Sequence, residues 1–328
     1  MTTAWVVRLG TGGSNVDELV EAGYLGVDFV QDHDIRDHLG QGPEAFRKAM
    51  IPVTIGLHRG MSKIVAAQAM GSLHAAAETM AVGDLVLAPT ASPIRYHFGI
   101  VTSDYEFHPR KVLPHRRRVD WRGSFDRSLM SPRLASAAGT PQTIKKLSPE
   151  HAPELVRLTR LTEIGSPPAS FTHAGSAEAP TLAPAGEVIP SDVQDPLAFQ
   201  MEKQLEDFLV HNWSRTALGR DYDIFSTEDE GDIGRQFKTD IGLMDILAIS
   251  KDRTRLLVVE LKRGRASDVV VGQIQRYMGY AKAILAEPGQ SVEGVIIAQE
   301  DDAKIRYALS VAANIRFLRY RVEFHLEE

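Results

Sequence analysis

The chain has 328 residues, 43% of them hydrophobic, a formal net charge of -6 and no cysteine. That length exceeds the roughly 250 to 300 residues at which a single core stops growing, so two domains are expected. The missing cysteine excludes a disulfide framework and a thiolate zinc site, and the acidic balance excludes a coat of basic groups for nonspecific nucleic-acid binding.

In the N-terminal part, "AWVVRLG" reads as a strand and "SKIVAAQAMGSLHAAAETM" as a helix. "GDLVLAP", "IRYHFGIVTSDYEF" and "HRRRVDW" read as further strands, the second of them long or bent. Gly83-Asp84 ahead of one apolar strand and the run Tyr96 to Val101 after it suit a small β-barrel with a flanking helix. The stretch "HPRKVLPHRRRVDWRG" gathers Arg110, Lys111, Arg116, Arg117, Arg118 and Arg122 in an otherwise acidic protein. Such a concentration is a phosphate-binding footprint or a solvated basic strand. Alternation predicts Arg116 and Arg118 on one face and Arg117 on the other. A flipped base needs aromatic walls, for which Trp5, Tyr24, Phe29, Tyr96, Phe98 and Trp121 are available, although most barrel aromatics are core. His33 and His38 in "HDIRDH" match no metal spacing and read as surface.

Residues 165–194 are rich in Pro, Ala, Gly and Ser, with almost no large apolar side chains. Such a segment cannot offset its ordering entropy, so it is read as a linker between a domain of residues 1–164 and one of residues 195–328.

The C-terminal part is predicted as α-β-β-α-β-α-β, a mixed sheet flanked by helices. A helix starts at Asp195-Pro196 with Met201, Leu205, Phe208 and Leu209 on its apolar face and Glu202 and Glu206 along its edge. "GLMDILAIS" and "RLLVVELKR" form a hairpin around "KDRT". A helix from about Ser267, its expected N-cap, to Glu287 buries Val271, Ile274, Met278, Ala281 and Ile284. The strand "VEGVIIA", a helix near 301–313 and the strand "IRFLRYRVEF" complete the order.

The chemistry is concentrated in this hairpin and the helix after it. Glu260 and Lys262 share one face of their strand, and Asp245 on the partner strand approaches Glu260 across the ladder. Two carboxylates that close raise each other's pKa unless a cation sits between them, and a hard divalent ion, Mg2+ or Mn2+, suits oxygen donors. Lys262 beside it would hold the attacking water or neutralise charge on a phosphate. The plain alternative is a solvated strand end with an incidental Glu-Lys pair. Gln273 and Tyr277, four apart, lie on one helix face and can orient water, lysine or phosphate without adding charge.

Asp245, Glu260-Leu261-Lys262 and Gln273-x-x-x-Tyr277 resemble the PD-(D/E)XK nuclease superfamily, and "MDILA", "VVELKRGRA" and "VGQIQRYMGYA" look like the core of its NucS-type and Mrr-like members. The resemblance covers about residues 195–321. It implies a restriction-endonuclease-like α/β (α+β) fold, with Asp245 and Glu260 as metal ligands, Lys262 as catalytic lysine, Gln273 and Tyr277 in support, and Glu206 as the helical glutamate. Where such proteins often carry Gly-Arg-x-Asp, this chain has Gly242-Leu243-Met244-Asp245, which leaves that arginine's contact without an owner.

The N-terminal strand order is similar to domains of Mrr-type restriction proteins with PUA- or EVE-like barrels, which implies a DNA reader using Arg116, Arg118, Arg122 and Trp121. The expected protein is therefore a cytoplasmic, Mg2+-dependent endodeoxyribonuclease of restriction or anti-phage defence, acting on DNA as a homodimer without membrane contact. The alternatives are a repair endonuclease for mismatched or branched DNA and a nucleotide-sensing effector.

Overall fold

A computed structural model describes residues 3–91, 94–139, 142–163, 196–227 and 233–321, with no side-chain description for 161–163 and 196–203. The expected linker, 165–194, and Glu202 as an alternative helical glutamate lie outside that description.

The N-terminal half contains strands β1 (Ala4–Val7), β2 (Tyr24–Val27), β3 (Leu85–Pro89), β4 (Arg95–Val101), β5 (Glu106–Phe107), β6 (His115–Asp126) and β7 (Ile144–Lys146). Its helices are α1 (Val16–Glu21), α2 (Pro43–Leu57), α3 (Lys63–His74), α4 (Pro132–Ala138) and α5 (Ala152–Glu163). The sheet runs β2-β6-β4-β3-β1-β7 with β5 also on β6, and every pair is antiparallel except β1 with β3. It curls into a half-barrel, because the long β6 serves β4 along its later part and β2 and β5 along its first part. Alternation sorts the faces: Trp5 and Val7 of β1 enter one core, while Val6 enters another with Tyr96, Phe98 and Phe125 against α4 and α5. The Asp84 carboxylate, next to Gly83 with φ 94°, accepts Trp5 Nε1 at 2.8 Å and so ties β1 to the start of β3.

The C-terminal half contains α6 (Pro196–His211), α7 (Ala217–Asp221), β8 (Tyr222–Ile224), β9 (Arg235–Thr239), β10 (Gly242–Ser250), β11 (Arg255–Leu261), α8 (Val269–Tyr280), β12 (Ser291–Ala298), α9 (Ala303–Ser310) and β13 (Ile315–Arg319). The sheet order is β13-β12-β11-β10-β8 with β9 also on β10, mixed in sense because β11, β12 and β13 are parallel. The expected hairpin forms, with Ile246 opposite Val259. The expected stripe on α8 and its π-type continuation is buried, from Val271 to Ile284.

Several details differ from expectation, among them a helix and two strands, α7, β8 and β9, between the first helix of this half and the hairpin. Ser267 does not cap α8: the capping position is Asp268, and no side chain makes the bond. Phe208 is 66% exposed, because α6 packs on the sheet through Leu205 and Leu209 instead. The last strand spans Ile315–Arg319, with 320–321 outside it, and residues 322–324 of the predicted run lie outside the described residues.

The two halves share a central cluster. Trp5, Met50, Ala66 and Met70 from the first belong to the same buried group as Phe237, Ile274, Tyr280 and Ile284 from the second. Lys63 clamps the far side, donating from its backbone to Glu287 at 2.8 Å and from Nζ to the Ala286 carbonyl at 2.9 Å. Among the described residues no helix is long and apolar enough to cross a membrane.

Candidate active site

The hairpin pairing ends at Ile246 opposite Val259, and Asp245 and Glu260 are the next residue along each strand. Asp245 Oδ2 accepts the Leu261 amide at 2.7 Å, which fixes this carboxylate against β11. Glu260 is 1% exposed, and Lys262 Nζ lies 2.9 Å from its Oε1. Buried carboxylates persist only with such partners. Val259 and Leu261 project the opposite way, into the core under α6, so the two faces of this short strand separate packing from chemistry.

From α8, Tyr277 reaches the same end of the sheet. Burial raises its pKa first, the Glu260 charge adds to the rise, and a hydrogen bond with Gln273 works in the opposite direction. The hydroxyl therefore stays protonated at neutral pH and can donate. It sits over Gly242, whose φ is +134° and where a Cβ would lie 2.6 Å from Tyr277 Oη. Gly242 is thus required twice, by backbone angle and by contact.

Glu206 of α6 is 5% exposed and accepts from Arg235 Nε and Gln236 Nε2, while the same Gln236 amide lies 3.4 Å from Asp245 Oδ1. Neighbouring strand residues normally face opposite ways, but Gln236 has φ 47°, a left-handed turn of the backbone that lets both reach one carboxylate. Burial disfavours the Arg235 charge, yet its pairs with Glu206 and Asp207 outweigh this and raise its pKa.

The structure thus brings Asp245, Glu260, Lys262, Gln273 and Tyr277 to one place and links Glu206 to them through Gln236. Arg235 and Gln236 are not among the residues predicted from the sequence, which assigns no element between the first helix of this half and "GLMDILAIS". With Phe237 its single apolar residue, "RQFKT" carries almost no period-two signal.

The basic strand needs correction. Arg116 is 6% and Arg117 2% exposed, and burial lowers the pKa of each. Arg116 donates to the carbonyls of Leu113, at 3.0 Å, and Val112; Arg117 donates to those of Ser103, at 2.8 and 2.7 Å, and Met80. These two guanidinium groups hold loops together and are not presented to a phosphate. Arg118 is exposed and 2.9 Å from Glu106, and Arg122 is exposed and 3.0 Å from Asp120. The expected pairing of faces holds, since Arg116 and Arg118 both lie over the Tyr24 ring, at 5.4 and 5.7 Å. Trp121 is half-buried at a bulge where Phe98 faces Gly123 but Gly99 faces Trp121, and its indole nitrogen is buried without a hydrogen-bond partner. Trp5, Tyr96 and Phe98 are core. An open cleft of about 520 Å³ lies elsewhere on this half, lined by Arg36, Leu39, Met80, Val82, Asp104 and Tyr105 among others.

A mixed sheet with acidic residues on adjacent strands, a lysine two residues on, and a Gln-Tyr helix beside them is the arrangement that the sequence resemblance to PD-(D/E)XK nucleases implies. Residues 227–323 match the family model described as the endonuclease NucS C-terminal domain, and residues 5–148 match a domain of unknown function, DUF8426. Among solved structures the chain is similar to a repair endonuclease from Pyrococcus abyssi, at 22% identity over 36% of this chain and 46% of that one, TM-score 0.30. It is also similar to EndoMS in apo form, at 19% over 38% and 47%, TM-score 0.29. The MspJI restriction endonuclease in complex with a 27-mer oligonucleotide aligns at 12% over 90% and 67%, TM-score 0.23. The chain spans less than half the length of the first two. No curated protein matches it.

Proposed function

We propose that this chain is a metal-dependent DNA endonuclease whose C-terminal half hydrolyses a phosphodiester and whose N-terminal half selects the DNA. The observation that carries this reading is the convergence of Asp245, Glu260, Lys262 and Tyr277 at one end of the sheet, within the segment that matches the NucS C-terminal domain.

The donor set fits Mg2+ or Mn2+. Among the described residues no three His, Cys, Asp or Glu side chains cluster closely enough to hold a metal together. A magnesium-class ion needs only one or two protein carboxylates, because water and substrate phosphate complete its shell. Asp245 and Glu260 would hold it, and it would supply positive charge at the phosphate and a more acidic water. Lys262 places an ammonium beside Glu260, where negative charge grows during cleavage. Gln273 holds the Tyr277 hydroxyl as a donor, and Gln236 couples Glu206 to Asp245.

The N-terminal half supplies selection through exposed Arg118 and Arg122 and half-buried Trp121, and its cleft gives room for a base or nucleotide. A barrel of PUA or EVE kind stays part of the proposal, as do a homodimer for double-strand cutting and a cytoplasmic setting. Restriction or defence predicts preference for modified bases, and repair predicts preference for mismatched or branched DNA. The test is cleavage of duplexes carrying modifications, mismatches or flaps, with Mg2+ or Mn2+. Wild type should cut at least one class. Asp245→Ala and Glu260→Ala should lose more than about 100-fold in rate while still binding DNA. A wild-type rate in either variant removes the assignment.

A further inference from the structure

A second cavity, far smaller than the open cleft, lies between the two halves of the chain. It encloses about 20 Å³, and its walls include Arg47 of α2, Gln68 and Ser72 of α3, Gln142 ahead of β7 and Lys238 of β9. A space of that size holds one water-sized body. Phosphate, sulfate and nucleotides are therefore too large for it.

The wall is rich in donors that lack acceptors. Gln68 Nε2 is buried and makes no hydrogen bond, and among the described residues no carboxylate pairs with the Lys238 ammonium. Arg47, 6% exposed, is balanced by Asp240, which leaves Lys238 as the charge without a counter-ion. Its neighbours sharpen the imbalance. Lys146 lies over the same Trp5 ring, at 5.8 Å against 5.7 Å for Lys238. Burial first, and then the charges of Arg47 and Lys146, oppose protonation of Lys238, with Asp240 working the other way. Three cations thus face one carboxylate. Unbalanced charge away from water is costly unless a counter-charge reaches it. A water molecule brings no charge and has protons of its own to place, whereas a monatomic anion accepts from every direction and has none.

We infer that this cavity is a halide site, in which one chloride ion is held by the Lys238 ammonium and the Gln68 amide beside the Arg47 guanidinium. Gln68 belongs to the first half of the chain and Lys238 to the second, so the ion links the two. The inference stands apart from the nuclease reading, because it uses none of Asp245, Glu260 or Lys262. An ion that binds only the folded chain stabilises it in proportion to the logarithm of its occupancy term, so chloride becomes a stabilising ligand of the whole molecule.

The test uses the full chain in sodium chloride and in sodium gluconate at equal ionic strength, gluconate being too large for the cavity. The wild-type thermal midpoint should be higher in chloride by about 2 °C, and the difference should saturate. Gln68→Leu and Lys238→Met should each abolish that difference. Crystals of the wild type grown in sodium bromide should show an anomalous scattering peak between Gln68 and Lys238. Equal chloride effects in wild type and both variants would reduce the effect to bulk salt and overturn the site. A bromide map without a peak in the cavity would assign it to water and overturn the site as well. Should either variant fail to fold, the wild-type bromide map decides alone.

Discussion

Arg47 of α2 and Asp240 of the β9–β10 turn form an ion pair across the two halves of the chain, with side chains 7% and 14% exposed. Arg47 also donates from Nε to the Ala67 carbonyl at 3.2 Å, and it fits against α3 only because residue 71 is glycine: a Cβ there would lie 2.2 Å from Nη2. Removing one partner of a buried pair strands the other charge, which costs roughly 3 to 5 kcal/mol. Arg47→Met and Asp240→Asn should each lower the free energy of unfolding by about 3 kcal/mol in urea titrations. Losses under about 0.5 kcal/mol in both would show that water, and not the partner, solvates these charges.

The contact of Tyr277 with Gly242 gives a second test. Gly242→Ala adds a methyl group against the hydroxyl and forces a side chain into a left-handed backbone, so a destabilisation of about 2 kcal/mol is expected. Tyr277→Phe removes the obstructing oxygen. The double variant should recover part of the loss, and strictly additive effects in a double-mutant cycle would contradict the contact.

The basic strand divides into structural and exposed arginines, and the division is measurable. Arg116→Ala should lower the thermal midpoint by several degrees, because two loop carbonyls lose their donor. Arg118→Ala/Arg122→Ala should leave the midpoint alone and reduce the slope of log binding constant against log salt by about two, roughly one for each lost phosphate contact. An unchanged slope would remove this face from the DNA interface.

Lys238 of β9 lies over the Trp5 ring at 5.7 Å, and its pKa is lowered first by burial and then by the charges of Arg47 and Lys146. A lysine depressed in the folded state makes the unfolded chain the better proton acceptor between the folded pKa and the ordinary value near 10.5. Stability therefore carries the full penalty below the folded pKa and regains it as pH rises toward the unfolded value. Lys238→Met should stabilise the protein at pH 7, and its advantage over wild type should shrink as pH approaches 10.5. An advantage independent of pH would trace the gain to packing alone.

Much of the site could be read from the sequence because its determinants are local. Alternation in "VVELK" fixes the common face of Glu260 and Lys262, and a four-residue spacing fixes that of Gln273 and Tyr277. The buried stripe from Val271 to Ile284 announces α8 by its period alone. What the sequence concealed depends on distant partners. Arg116 and Arg117 look like surface charges because their acceptors are loop carbonyls as far away as Met80. Arg235 and Gln236 join the site only through the register of β9 on β10 and the unusual backbone of Gln236. No periodicity encodes either.

The buried cluster common to both halves has a consequence for how the chain comes apart. Trp5, Met50 and Met70 would face water if the second half were removed, as would Phe237, Tyr280 and Ile284 without the first. Melting should accordingly be a single cooperative event and not two. A chain nicked by protease between Glu163 and Pro196 should elute from a sizing column as one species and separate into two pieces only in denaturant.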